Sequence, residues 1–142
     1  MISSSFPDVN VWLALLLENH LHRAAARRWL ESTESGLFGF LRVTQMSVLR
    51  LLTTPAAMNG RPLRMPAAWA AYDRLFGDDR VAFVDEPRGI EAVFRKYARQ
   101  NHASPKLWAD AWLLAFAECA DGVVVTFDQA LAARASHTVL LT

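Results

Sequence analysis

A single cysteine, Cys119, stands in this chain of 142 residues, which excludes a disulfide framework and a thiolate metal site. Cys119 falls in an apolar helical stretch and reads as an inert buried thiol. Long apolar runs are missing too: the longest, Val11 to Leu17, is far short of the roughly 20 residues that a bilayer-spanning helix needs. The opening Met1-Ile2-Ser3-Ser4-Ser5 has no basic segment and no apolar segment with a cleavage site, so a cytoplasmic protein is expected. Neither sign of charge dominates, since 15 Lys+Arg face 14 Asp+Glu for a formal +1. That balance excludes the broad basic footprint of a DNA-coating protein but permits a local basic strip. Lysine is nearly absent, with only Lys96 and Lys106, so arginine carries the positive charge and is suited to bidentate contact with phosphate or carboxylate. No Pro/Gly/Ser-rich stretch resembles a linker, and residues 1–142 are expected to form a single domain.

Hydrophobic residues, by contrast, make up 53% of the chain, slightly rich for a soluble domain. Short apolar runs alternate with segments of helical period. Strands are expected at Ser4–Asp8, Gly36–Phe40, Val81–Val84, Val123–Thr126 and Thr138–Leu141. Helices are expected over about Asn10–Leu17, His22–Ser32, Thr44–Leu52, Pro66–Phe76, Arg88–Gln100, Pro105–Ala120 and Leu131–Arg134, with Asn10 and Ser104 as cap residues. Strand alternating with helix implies crossover connections. The expected fold is therefore a three-layer α/β/α domain with a mainly parallel central sheet.

In such a sheet ligands bind beyond the carboxyl ends of the strands, where the strand order reverses. Acids stand at two of these ends: Asp8 after Ser4-Ser5-Phe6-Pro7, and Asp128 after Val123-Val124-Val125-Thr126-Phe127. Asp110 lies near the start of a helix that is apolar on most sides, and burying an unpaired carboxylate costs several kcal/mol. A divalent cation would be the partner it lacks. Hard oxygen ligands suit Mg²⁺ or Mn²⁺, which keep several waters and borrow oxygens from a substrate phosphate. A bound metal lowers the pKa of its water and offsets charge building on the phosphate. No Ser/His/Asp or Cys/His nucleophile arrangement is apparent. Taken singly, each acid is as readily a helix cap or a salt-bridge partner; the three together favour a site.

These residues resemble the PIN-domain nucleases, and among them the VapC-type toxins of bacterial toxin–antitoxin pairs. Phe6-Pro7-Asp8-Val9-Asn10 is similar to the family's first acid motif, and Ser104-Pro105-Lys106-Leu107-Trp108-Ala109-Asp110-Ala111 to its helical one. Val125-Thr126-Phe127-Asp128 resembles the third, in which the hydroxyl before the last acid, here Thr126, helps to hold the metal site. The resemblance covers essentially the whole chain. It implies a PIN fold, Mg²⁺-dependent endoribonuclease activity on RNA (a tRNA or another structured RNA), a homodimer, and inhibition by a VapB-type antitoxin. The family often has a further Glu on the helix after the second strand. Here that helix reads Thr44-Gln45-Met46-Ser47-Val48-Leu49-Arg50, with Ser47 in the Glu register and Gln45 nearby. Neutral oxygens would hold a cation less tightly, so a non-catalytic PIN-like module that binds RNA or a partner is the alternative. Haloacid-dehalogenase-like phosphatases need a second Asp two residues after the first, where Asn10 stands.

Arg61, Arg64 and Lys106 are candidate phosphate contacts, and Asn10 a candidate supporting residue. Glu18, His20 and His22 read as a solvated connection between helices. The five tryptophans, Trp12, Trp29, Trp69, Trp108 and Trp112, read more readily as core or interface than as platforms for RNA bases.

Overall fold

A computed structural model of the chain describes residues 3–33 and 36–142. Its elements, in chain order, are β1 Ser4–Pro7, α1 Val9–Leu16, α2 Arg23–Ser32, β2 Leu37–Phe40, α3 Arg42–Leu52, α4 Met65–Leu75, β3 Val81–Phe83, α5 Ile90–Tyr97, α6 Leu107–Cys119, β4 Val123–Thr126, α7 Gln129–Ala132 and β5 Thr138–Leu140. The strands form one five-stranded sheet in the order β3-β2-β1-β4-β5. Every pairing is parallel, so the sheet is wholly rather than mainly parallel.

Two cores cover the two faces of the sheet. Trp12, Leu13, Val48, Leu52 and Tyr72 pack with Phe38 and Phe40 on one side, joining α1 to α4. Leu113, Leu114, Phe116, Ile90 and Leu131 pack with Phe6 and Val124 on the other, joining α5 to α7. The near-continuous apolar run of β4 follows from this double cover, because its central residues Val124 and Val125 are both fully buried. Asp121 turns the chain from α6 into β4 in the left-handed region, with φ 55°.

Both expected caps are corrected. The residue that caps α1 is Asp8, whose Oδ1 accepts from the Val11 N–H at 3.2 Å; Asn10 lies inside the helix and is exposed. Ser104 does not cap α6 with its side chain. Lys106 occupies the cap position and makes no side-chain cap bond, while the Ser104 hydroxyl pairs with His102 Nδ1. Helix α3 begins two residues before the expected Thr44, at Arg42, because the Leu41 carbonyl already accepts from Gln45 N–H at 2.9 Å. Cys119 is half-buried rather than buried, and burial still pushes its thiol pKa up, as expected of an unreactive thiol. No helix among the described residues is long and apolar enough to cross a membrane.

Phe6 sets the spacing of the central strands. A Cβ at Gly39 of β2 would stand 2.5 Å from its ring, and one at Gly122, just before β4, 2.7 Å from it. The ring therefore occupies space left by two missing side chains, and it meets Phe116 of α6 edge-on with centroids 5.5 Å apart. Gly39→Ala forces a methyl group into that contact and is expected to cost about 1–3 kcal/mol by overpacking. Urea unfolding checks this: the midpoint should fall with the slope unchanged, and an unaltered midpoint would show that the sheet yields without strain.

Candidate active site

Register and topology bring two of the three acids to one place. Strands β1 and β4 are neighbours, with Phe6 opposite Val124 and Pro7 opposite Val125. The chain runs from β1 to β2 on one side and later returns to β4 on the other, so the strand order reverses between β1 and β4. Asp8 and Asp128 leave the sheet on the two sides of that switch point, the place where open parallel sheets bind ligands.

Local hydrogen bonds fix both. The Asp8 N–H donates to the Val125 carbonyl at 2.9 Å, carrying the ladder one residue past β1. Asp8 Oδ1 caps α1, and Oδ2 accepts from the Thr126 hydroxyl. That hydroxyl in turn accepts from the Asp128 N–H at 2.9 Å. Thr126 is fully buried and ties the two acids together through a single side chain. Asp128 Oδ1 caps α7, accepting from Ala130 N–H at 2.9 Å and Leu131 N–H at 3.2 Å. Each of these two acids at a strand end is thus a helix cap.

Asp110 enters from α6, one turn in from its start, and is half-buried. Among the described residues no hydrogen bond or ion pair engages its carboxylate. Burial raises its pKa, the charge of Asp128 raises it further, and Arg134 opposes both. Burial likewise raises the pKa of Asp8 against the hydrogen bonds from Thr126 and the start of α1, with Asp110 adding repulsion. Asp110 therefore lies within electrostatic reach of each of the other two acids.

The donor set fits a hard divalent cation. Asp8 and Asp110 are penalised by burial and by a neighbouring carboxylate charge, Asp128 is exposed, and no Lys or Arg forms an ion pair with any of the three among the described residues. No three His, Cys, Asp or Glu side chains among those residues converge closely enough to enclose an ion by themselves. A cation at this place would have to take one or two carboxylates and keep waters, a mode Mg²⁺ commonly adopts.

The remaining candidates are scattered. Gln45 is buried, at 7% exposure. Its Oε1 accepts from Arg42 at 2.6 Å, and the side chain also meets the Tyr72 hydroxyl, so its polar groups are engaged within the helical layer. Ser47 is half-buried on α3. Arg61 and Arg64 lie exposed between α3 and α4, and neither is among the charges that perturb Asp8 or Asp110. Lys106 is exposed beside the start of α6.

Sequence reading missed three features. Arg134 sits beside Asp110, with one guanidinium nitrogen donating to the Tyr97 carbonyl and Nη1 buried without a partner. His22, read as part of a solvated connection, stacks on Phe127 with centroids 4.3 Å apart and so packs against the residue that precedes Asp128. Neither had a local signal, because each contact spans a long stretch of chain. Asp85 and Glu86 follow β3 at the same edge of the sheet, two strands from β1. Their position after Val81-Ala82-Phe83-Val84 was a readable signal.

Comparison with known proteins agrees with this geometry. The model described as "PIN domain" matches residues 5–136. Ribonuclease VapC41 of Mycobacterium tuberculosis is 43% identical over 128 residues, covering 87% of this chain and 88% of that protein. Among solved structures, VapC20 of Mycobacterium tuberculosis, titled a sarcin-ricin loop cleaving toxin, superposes with a TM-score of 0.65 at 17% identity over 91% of this chain and 93% of its own. VapBC-1 of nontypeable Haemophilus influenzae does so with a TM-score of 0.67 at 15% identity, over 96% and 97%. At these identities the two structures speak for the fold.

Asp110→Asn removes a charge that burial and Asp128 both disfavour. With divalent ions chelated, this variant is expected to melt at a higher temperature than the wild type at neutral pH. Because the folded state holds the Asp110 proton more tightly than the unfolded chain, wild-type stability from this group is greatest below the ordinary value of 3.8 and falls as pH rises through the raised one. The gap between variant and wild type should therefore close on acidification. Melting curves from about pH 7 down to about pH 4 check this, and a gap independent of pH would contradict it.

Proposed function

The chain belongs to the PIN-domain family, and from that footing we propose that it is a ribonuclease of the VapC type, a toxin that hydrolyses RNA phosphodiester bonds at Asp8, Asp110 and Asp128. One observation carries the reading: Asp8 and Asp110, carboxylates that burial disfavours and whose charges repel, lie within electrostatic reach of each other beside the switch point of a parallel sheet, and neither forms an ion pair among the described residues. The relatives named ribonuclease supply the reaction class.

The proposed cofactor is Mg²⁺ or Mn²⁺, which when bound supplies a water of lowered pKa and positive charge against the phosphate. Asp8 and Asp110 would be its principal protein ligands, with Asp128, whose Oδ2 is free, acting on it through a bound water. Thr126 holds Asp8 in place and presents the Asp128 backbone, so it acts as a positioning residue. The engaged side chain of Gln45 leaves the position of the family's further Glu without a charged substitute, and weak metal affinity follows. This supports a second reading, a module that binds RNA or a partner without cutting it.

The proposed partners are a VapB-type antitoxin, by analogy with VapBC-1, and a second copy of the chain. A structured RNA is the proposed substrate, by analogy with VapC20, a sarcin-ricin loop cleaving toxin.

Purified protein incubated with structured RNA is expected to cut it with Mg²⁺ or Mn²⁺ and not with chelator. Asp8→Asn and Asp110→Asn should each slow cleavage by about a hundred-fold or more, as befits the loss of several kcal/mol of transition-state stabilisation. Equal rates in wild type and variants would remove the acids from the mechanism. No cleavage of any RNA, with no metal binding by calorimetry, would favour the second reading. Expression in a bacterial host should also slow growth, and co-expression of a small protein encoded beside the gene should restore it; growth unaffected by expression of the wild type would speak against a toxin.

A further inference from the structure

Of the five tryptophans, Trp108 is the most exposed, at 59%, and it stands two residues from Asp110. Its ring is held rather than loose, because Phe94 of α5 meets it edge-on with centroids 6.1 Å apart. Two cavities adjoin it. A groove of about 760 Å³ along α5 is lined by Phe94, Arg95, Lys96 and Arg99, together with Glu91. A pocket of about 90 Å³ on the other side is lined by Gln100, His102 and Ser104. Trp108 is a wall of both.

The charge around this ring is concentrated. Arg95, Lys96 and Arg99 line the groove with one acid, Glu91, and Lys106 stands two residues before Trp108, in a chain whose formal net charge is +1. Arg95 holds Glu91 at 3.2 Å and Lys96 holds Glu118 at 3.0 Å. Arg99 and Lys106 form no ion pair among the described residues, and the start of α6 beside Lys106 has no side-chain cap. An exposed indole next to cations without an ion pair matches the two recurring parts of a single-stranded nucleic-acid site: a stacking platform and a basic track.

We infer that Trp108 stacks on an unpaired base of the RNA substrate while Arg99 and Lys106 bind the flanking phosphates, steering the strand around the start of α6 to Asp110. The inference rests on the ribonuclease reading and deepens it, since it places an unpaired nucleotide next to the bond that is cut. Trp108 and Asp110 lie on opposite sides of the first turns of α6, so the strand has to span about the side-chain diameter of one helix, roughly 10 Å. The polar pocket is placed to read the edge of the stacked base. A paired duplex, whose bases are already stacked, cannot use the platform.

The test measures binding apart from cleavage. A labelled single-stranded RNA oligonucleotide and its abasic counterpart are titrated with the wild type, Trp108→Ala, Trp108→Phe and Arg99→Gln in chelator. Trp108→Ala is expected to weaken RNA binding by about five-fold to a hundred-fold, the worth of one stacked base, and to leave abasic binding unchanged. Trp108→Phe should recover part of the loss. Arg99→Gln should weaken both ligands and lower the salt slope by about 0.7. Equal affinity of wild type and Trp108→Ala for the RNA would overturn the inference, as would no binding by the wild type in chelator. A lower sedimentation mass for Trp108→Ala at unchanged RNA affinity would overturn it too, assigning the face to contact between copies. Metal-dependent cleavage in the same preparations reports separately on the ribonuclease reading, which survives any of these failures if the RNA is cut and falls if it is not.

Discussion

The carboxylate of Asp8 is held where its charge is disfavoured, and much of the local architecture exists to hold it there. Burial works against the anion, while the first turn of α1 and the Thr126 hydroxyl each donate one hydrogen bond to it. These two donors come from the elements that bracket the switch point, so the same bonds that stabilise the charge fasten α1 and β4 to the end of β1. Thr126 extends the tie to the Asp128 backbone. Moving any one of these groups would leave a buried polar atom unsatisfied, which costs about 1–3 kcal/mol, and this keeps the edge of the sheet rigid.

Rigidity at that edge depends in turn on the spacing of three strands. Phe6 fills the space left by Gly39 and Gly122, so β1 lies close between β2 and β4, and its exit points at one place. Packing thereby delivers Asp8 and Asp128 to opposite sides of the switch point. Asp110 is delivered by a different route, the docking of α6 through Leu113, Leu114 and Ala117 onto the sheet. The result is a cluster whose members repel one another and which Arg134 only partly compensates. Repulsion of this kind is what a bound cation would relieve.

Asymmetry around α6 gives the site a direction. One side of the helix carries Asp110 toward the sheet. The other carries Trp108 and Trp112 against Phe94 of α5, where the unpaired basic side chains collect. A chain with almost no net charge can still present a basic strip, because Arg95, Lys96, Arg99 and Lys106 fall close together in the sequence and only Arg95 and Lys96 are held in ion pairs among the described residues.

Much was legible in the sequence because it depends on local order. The period of apolar residues located every strand and helix to within a few positions. The valine run before Asp128 announced a strand buried on both faces, and the acids at two strand exits, with Asp110 in an apolar helix, marked the site. Caps were misassigned at Asn10 and Ser104 because several polar residues compete near a helix start and only backbone geometry chooses among them. What the tertiary structure alone decided is pairing: that β1 lies beside β4, that one threonine hydroxyl joins two acids 120 residues apart in the chain, that Gln45 is engaged by Arg42 and Tyr72, that Arg134 lies within reach of Asp110, and that His22 stacks on Phe127. Each of these is a contact between segments distant in sequence, and no local pattern encodes it. The acids could be named from the sequence because a charge out of place on a buried element is visible before folding, while the groups that come to surround it are chosen by how the elements pack.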